Sequence, residues 1–234
     1  MRVALTRTQE DIDRDKHLFE REGFEVVPLP LIEEVALEFK LPEESFDFVI
    51  FQSPRAVRFF LSRYKLKGEK VVVVGEKTKE EVEKWGYSVW AMPENYYGRE
   101  LLELFKGLSG RVLIPKSAVG RDEVIEGLKN MGFSVYPLSV YTVKEVLYKR
   151  KELLKKLHES HVVVFASPSA VKALIANLQK EDARAILKEK KLICIGKTTK
   201  EFLREELSLD CLIPEKPTME SVVNLLKSRH EICI

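Results

Sequence analysis

VIFQSPRAVRFF at residues 49–60 returns as VVFASPSAVKAL at residues 163–174, an offset of 114. Each copy reads as a short buried strand, a Ser-Pro turn and an amphipathic helix, and self-similarity of this kind bounds architecture before any motif does. Two further pairs extend the match. RVAL with GFEVVPLPLIE recurs as RVLI with GFSVYPLSVYT, from Arg2 to Arg111 and Gly23 to Gly132, an offset of 109. VVVVGEKTKEEV with AMPEN recurs as LICIGKTTKEFL with LIPEK, from Gly75 to Gly196, an offset of 121.

Around these blocks the chain alternates β-branched apolar runs (VALT, EVVPL, FVIFQ, VVVVG, RVLIP, VVVFA, LICIG) with charged stretches of helical spacing. That alternation predicts parallel sheets with crossover helices. Several helices stop at glycine (Gly23, Gly86, Gly132), where a left-handed residue turns the chain back into strand. The predicted fold class is α/β: two similar parallel-sheet lobes made from one duplicated unit and joined by a two-stranded β linker.

Segments 24–38 and 133–146 carry Pro28, Pro30 and Pro137 and lack helical periodicity. They read as crossings between lobes; edge strands within one larger sheet are the alternative. Two crossings make one lobe discontinuous, with residues 1–31 and 144–234 in lobe 1, 36–138 in lobe 2, and linkers at about 32–35 and 139–143.

Composition narrows the function. The 234 residues are 45% hydrophobic and 32% charged, with a net charge of +2, which lacks the cationic excess that phosphate neutralisation on nucleic acid requires. Cys194, Cys211 and Cys233 are odd in number and show no CxxC spacing, so neither a disulfide framework nor a zinc ribbon is expected, and a reducing cytoplasm fits. Val3-Ala4-Leu5 is far too short for a signal-peptide apolar region, and no run approaches membrane-spanning length.

The candidate site residues follow the predicted strands. Ser53 and Ser167 precede proline and suit helix caps, and such helix N-termini at strand carboxyl ends are also where open α/β sheets hold anions. Gly75 to Thr78 and Gly196 to Thr199 repeat that arrangement one strand further on. The second has the tail of a phosphate loop, but Lys191 stands where its first glycine belongs, and no GxGxxG is present. Thr6-Arg7-Thr8, Lys116-Ser117 and Gly120-Arg121 add hydroxyls and cations in what read as loops after VAL and VLIP. Together these suit a polyanionic ligand. His17, His158, His161 and His230 show no convincing metal spacing and read as surface histidines, and no nucleophile elbow appears.

TR at Thr6-Arg7, G-x-x-V-x-x-x-P-L at Gly23 to Leu31, F-x-S-P-x-A-V at Phe51 to Val57, V-G-x-x-T at Val74 to Thr78, Tyr141 in the second linker, F-x-S-P-S at Phe165 to Ser169 and I-G-x-T-T at Ile195 to Thr199 give the chain a family likeness. In this order it resembles the uroporphyrinogen-III synthase family over nearly its whole length. The resemblance implies two α/β domains on a β ladder with the active site in the cleft. It also implies closure of hydroxymethylbilane, a linear tetrapyrrole, with loss of water and inversion of the terminal pyrrole, without cofactor or metal. Tyr141 matches the tyrosine implied to assist hydroxyl departure. Ser53, Thr78, Ser167, Ser169, Thr198 and Thr199 match hydroxyl contacts, and Arg7, Lys116 and Ser117 are candidate carboxylate partners. Lys79 and Lys200 stand where the family has a small residue after V-G-x-x-T. A cytoplasmic monomer follows, with a transient hand-off from the preceding pathway enzyme and no nucleic-acid or membrane partner. The rival reading is a cytoplasmic two-lobed binding protein for a polyanionic small ligand, without catalysis.

Overall fold

The nine predicted apolar and crossing segments become strands in a computed structural model, which describes residues 1–94, 98–119 and 123–230. They are β1 (Arg2–Leu5), β2 (Glu25–Pro28), β3 (Ile32–Ala36), β4 (Phe48–Phe51), β5 (Lys70–Val73), β6 (Arg111–Ser117), β7 (Ser134–Glu145), β8 (Val162–Phe165) and β9 (Lys191–Cys194). Between and after them run α1 (Gln9–Glu20), α2 (Pro54–Leu61), α3 (Glu76–Lys84), α4 (Gly98–Glu103), α5 (Glu123–Asn130), α6 (Arg150–Glu159), α7 (Pro168–Leu178), α8 (Lys180–Lys188), α9 (Lys197–Leu207) and α10 (Met219–His230).

The chain divides into two units, Met1–Glu33 with Lys144–Ile234, and Glu34–Val143. The first holds a parallel sheet in the order β2-β1-β8-β9. The second sheet runs β3-β7-β6-β4-β5 and is parallel from β7 to β5. The repeats explain the match. RVAL and RVLI form β1 and β6, EVVP and SVYP open β2 and β7, VVVF and FVIF form β8 and β4, and KLIC and KVVV form β9 and β5. Each therefore occupies the same place in its sheet, although the two pairs of strands enter in opposite chain order. A short extra bridge follows the same rule, pairing Ile193 with Leu212 and Val72 with Ala91.

Both faces of each sheet are covered, which is why the strands are continuously apolar rather than alternating. Val162 and Val164 face the core beneath α1 and α10, while Val163 and Phe165 face the core beneath α6, α7 and α9. Phe48 and Ile50 divide from Val49 and Phe51 in the same way. Three glycines end helices as expected. Gly23, Gly86 and Gly132 have φ of +78°, +82° and +90°. Behind each, the next residue's N–H bonds back across the last turn, Phe24 to the Phe19 carbonyl, Tyr87 to Val82 and Phe133 to Leu128.

The first crossing lies inside β3 and the second inside β7. Leu37 N donates to Val140 O at 3.0 Å and Val146 N to Leu31 O at 2.9 Å, so β3 and β7 run antiparallel. The second crossing is not a separate linker: β7 is one strand of 12 residues that starts as a sheet member beside β6. Pro137 is tolerated because the β3 partner ends near Leu37, leaving no neighbour on that side to receive its missing N–H. Pro28 closes β2, an edge strand.

Where the chain returns to the first unit, Tyr148 Oη donates to Pro30 O at 2.9 Å and Asn177 Oδ1 accepts from Tyr148 N at 2.8 Å. Burial, with the Glu152 charge second, pushes the Tyr148 phenol up from 10.0 to about 12. In the unfolded chain the phenol ionises near its ordinary value, so the stabilisation is fully present below that pH and is lost as pH rises toward the folded value. We expect the unfolding free energy to fall between pH 10.0 and about 12 and the decline to be shallower in Tyr148→Phe; equal slopes in alkaline urea titrations would contradict this.

At the amino edges the two units use different side chains for one task. Asp47 exchanges backbone bonds with Arg111 and Lys70, and its Oδ2 accepts from Arg111 N at 2.8 Å. His161 makes the same backbone bonds with Arg2 and Lys191, and its Nδ1 accepts from Arg2 N at 3.0 Å. That role requires the tautomer with its proton on Nε2. Urea unfolding should show His161→Ala losing about 1 kcal/mol and His161→Asp losing less, because the carboxylate restores the acceptor. Equal losses would contradict the equivalence.

Candidate functional site

In the first unit the carboxyl ends of β1, β8 and β9 lie side by side. After β1, buried Thr6 donates its hydroxyl to Val164 O at 2.7 Å, and Thr8 caps α1 by accepting from Asp11 N at 3.2 Å. Arg7 between them is held by internal carboxylates: it pairs with Asp15, and its Nη2 lies 3.7 Å from Asp11. Arg14 closes the network at 2.8 Å from Asp11 and 2.9 Å from Asp15, and the Asp15 hydrogen bond raises its guanidinium pKa. The guanidinium expected to meet a ligand carboxylate is thus already compensated, and the DIDRD run at Asp11 to Asp15 was the signal for it.

After β8, Ser167 caps α7, accepting from Ala170 N at 3.3 Å with Pro168 in the first turn, and Ser169 is exposed. After β9, Gly196 opens α9 with no side-chain cap, leaving the N–H groups of Lys197 and Thr198 unmatched by any cap and both residues exposed. Thr199 is buried in the first turn of α9. Directly behind this turn Cys194 and Cys211 form a disulfide, with Cα atoms 5.9 Å apart. This corrects the expectation that the cysteines supply no disulfide framework. The Ile193–Leu212 bridge lays segment 211–213 alongside β9 and brings the two side chains together, a proximity that CxxC counting cannot detect.

The second unit repeats the plan. Ser53 caps α2, accepting from Ala56 N at 3.2 Å, with Pro54 in the first turn. Gly75, at φ +88°, opens α3 without a side-chain cap, and Thr78 is buried like Thr199. Lys116 and Ser117 are corrected from a loop to the end of β6. They pair with Ser139 and Tyr141 across a register shift, which re-aims the strand end. Ser117 Oγ accepts from Val119 N at 3.2 Å. Gly120 and Arg121 lie outside the described residues.

Tyr141 sits on β7 opposite Ser117, and its carbonyl accepts from Ala118 N at 2.8 Å. Its ring stacks on Phe59 of α2 with centroids 5.0 Å apart, within the hydrophobic core. Among the described residues no hydrogen bond to its hydroxyl is formed. The structure therefore gathers Ser117, Tyr141 and the helix capped by Ser53 in the second unit, and Arg7, Ser167, Ser169, Thr198 and the buried Thr199 at the edge of the first. In the second unit, Arg55 in the first turn of α2 pairs with Glu34 of β3 and was not anticipated from sequence. Among the described residues no three His, Cys, Asp or Glu side chains are placed to hold a metal ion, and no helix is long and apolar enough to cross a membrane.

Fold and edges together define a class: an internally duplicated α/β protein whose two largely parallel sheets each present hydroxyl-bearing and uncapped helix N-termini at their carboxyl ends. A family model described as uroporphyrinogen-III synthase HemD matches residues 13–224, and the chain belongs to the uroporphyrinogen-III synthase family, enzymes of tetrapyrrole synthesis. The chloroplastic uroporphyrinogen-III synthase of Oryza sativa subsp. japonica is 29% identical over 98% of this chain and 82% of its own length. A Methanocaldococcus jannaschii protein, itself assigned provisionally to the same synthase, is 28% identical over 99% of this chain and 100% of its own. Two solved structures share the fold. The uroporphyrinogen-III synthetase of Helicobacter pylori 26695 matches with a TM-score of 0.67 at 20% identity, over 98% of this chain and 100% of that one. A mutant uroporphyrinogen III synthase from the extremely thermophilic bacterium Thermus thermophilus matches with 0.60 at 18% identity, over 99% of both.

Proposed function

We propose that the protein closes hydroxymethylbilane to uroporphyrinogen III, inverting the last pyrrole and releasing water. The observation that carries this reading is the family match across residues 13–224, on a chain whose two units both keep hydroxyl-bearing carboxyl edges. The substrate bears an acetate and a propionate on every pyrrole, and carboxylates suit the N–H groups, hydroxyls and lysines found there. Lys197 and Thr198 at the start of α9, Ser169 beside the α7 cap, and Lys116 with Ser117 on β6 are the groups we assign to them. Arg7, already bound to Asp11 and Asp15, holds its loop in place.

Chemistry requires departure of the hydroxymethyl oxygen as water, stabilisation of the azafulvenium cation left behind, and attack through a spiro-pyrrolenine rather than direct closure. Positioning supplies most of this, since the linear tetrapyrrole cyclises unaided to the wrong isomer. Tyr141 offers a hydroxyl unclaimed by other described residues on a ring fixed by Phe59. We assign it a hydrogen bond to the departing oxygen, a phenol being too weak an acid to dominate the barrier. The substrate is received from the enzyme that makes it.

The rival, a binding protein without catalysis, separates in one assay. Added protein should speed hydroxymethylbilane consumption, and exhaustive chelation should leave the rate unchanged. Consumption at the uncatalysed rate would overturn the enzyme reading, and a chelation loss restored by a divalent ion would overturn the metal-free one.

A further inference from the structure

The two units fasten the same short segment in different ways. In the second, Val73 N donates to Ala91 O at 3.1 Å and Trp90 N to Val71 O at 2.8 Å. Trp90 itself packs 5.7 Å from Phe48, with the Lys70 ammonium 5.0 Å from its ring centroid. In the first, Cys194 N donates to Leu212 O at 2.9 Å and Leu212 N to Leu192 O at 2.9 Å, so the ladder is preserved. The aromatic clamp is not: the offsets of 121 and 114 place Cys194 at the position of Val73, Cys211 at that of Trp90 and Val162 at that of Phe48. A disulfide replaces the clamp.

That bond lies two residues before Gly196, where the chain turns into α9 and exposes Lys197 and Thr198. The other ties on segment 210–211 also come from α9, with Lys200 Nζ donating to Cys211 O at 3.1 Å and pairing with Asp210 at 2.9 Å. Segment and helix therefore hold each other, and the covalent link anchors both to β9. A cavity of about 370 Å³ lined by Lys191, Lys200, Asp210 and Cys211 opens beside Cys211, the partner through which a small dithiol would reach the bond, while Cys194 lies fully buried behind it.

We infer that the Cys194–Cys211 disulfide is a positioning element for the Gly196–Thr199 turn, and that dithiol exchange at this pair weakens the first unit's hold on an anionic substrate while the Gly75–Thr78 turn of the second is unaffected. The inference rests on the reading that this edge binds substrate carboxylates. A small dithiol supplies two electrons and two protons: the Sγ–Sγ bond breaks, both cysteines become thiols, and the reagent closes to its cyclic disulfide. Cys233, outside the described residues, is replaced by serine so that only this pair responds.

In that Cys233→Ser protein, the KM for hydroxymethylbilane should rise about 3- to 10-fold in reduced relative to oxidised dithiothreitol, with kcat within about twofold, as expected when a binding contact is loosened without touching the reacting centre. Oxidised reagent should restore it. Cys194→Ala/Cys211→Ala in the same background should carry the higher KM in both buffers. Hydrogen exchange should quicken on reduction at Ile193 to Thr199 and Leu212, and stay constant at Val72 to Thr78 and Ala91. An unchanged KM, or exchange that quickens equally in both units, would overturn the inference. A protein that does not turn over hydroxymethylbilane would refute the functional reading instead, and the exchange comparison would still decide the fastening claim.

Discussion

Tyr141→Phe should lower kcat by about 10- to 100-fold with the melting temperature unchanged, since one hydrogen bond made mainly in the transition state is worth ~1.5–3 kcal/mol. The structure separates the two contributions of this side chain. The ring, 8% exposed and stacked on Phe59, survives the substitution intact. The hydroxyl has no bond to another described residue, so its removal orphans no buried partner and stability has no reason to move. KM should change little. Ser53→Ala is the control: it loses the cap bond to Ala56 N and about 1 kcal/mol of stability without a selective fall in kcat. Wild-type kcat in Tyr141→Phe would leave the residue with a packing role and place the whole rate effect in conformational templating.

Cys194→Ala/Cys211→Ala should cost the first unit roughly 3 kcal/mol, because releasing a loop of this length returns chain entropy to the unfolded state. The sequence separation is 17 residues, which contain all of α9. For a chain of this size that corresponds to a fall in melting temperature of roughly 6–12 °C. Trp85 and Trp90 both lie in the second unit, so tryptophan fluorescence reports that unit and far-ultraviolet circular dichroism reports both. The dichroism transition should broaden downward in temperature while the fluorescence transition stays in place. Superimposable melts of wild type and variant would contradict a structural role for the bond.

The repeat made the architecture legible because each strand could be checked against a second copy. β-branched runs, glycine stops and Ser-Pro caps all fell where local chemistry places them. What stayed hidden depended on contacts between segments. Cys194 and Cys211 meet only because Leu212 pairs with Ile193, although the match of LIPEK to AMPEN already carried that adjacency in the second unit's Val72–Ala91 bridge. Lys116 and Ser117 read as loop because Pro115 precedes them, but β7 supplies pairing partners through Tyr141 that no local signal announces. Thr78 and Thr199 stand three residues after a glycine and so turn into the first helical turn rather than out of it. Arg7 looked like a ligand for a carboxylate because its partners, Asp11 and Asp15, become neighbours only once α1 has formed.

The most direct test of the central claim is the identity of the product. Hydroxymethylbilane incubated with the protein, then oxidised and separated by chromatography, should yield porphyrin isomer III in large excess over isomer I. A product that is isomer I alone, in the amount formed without protein, would contradict the account.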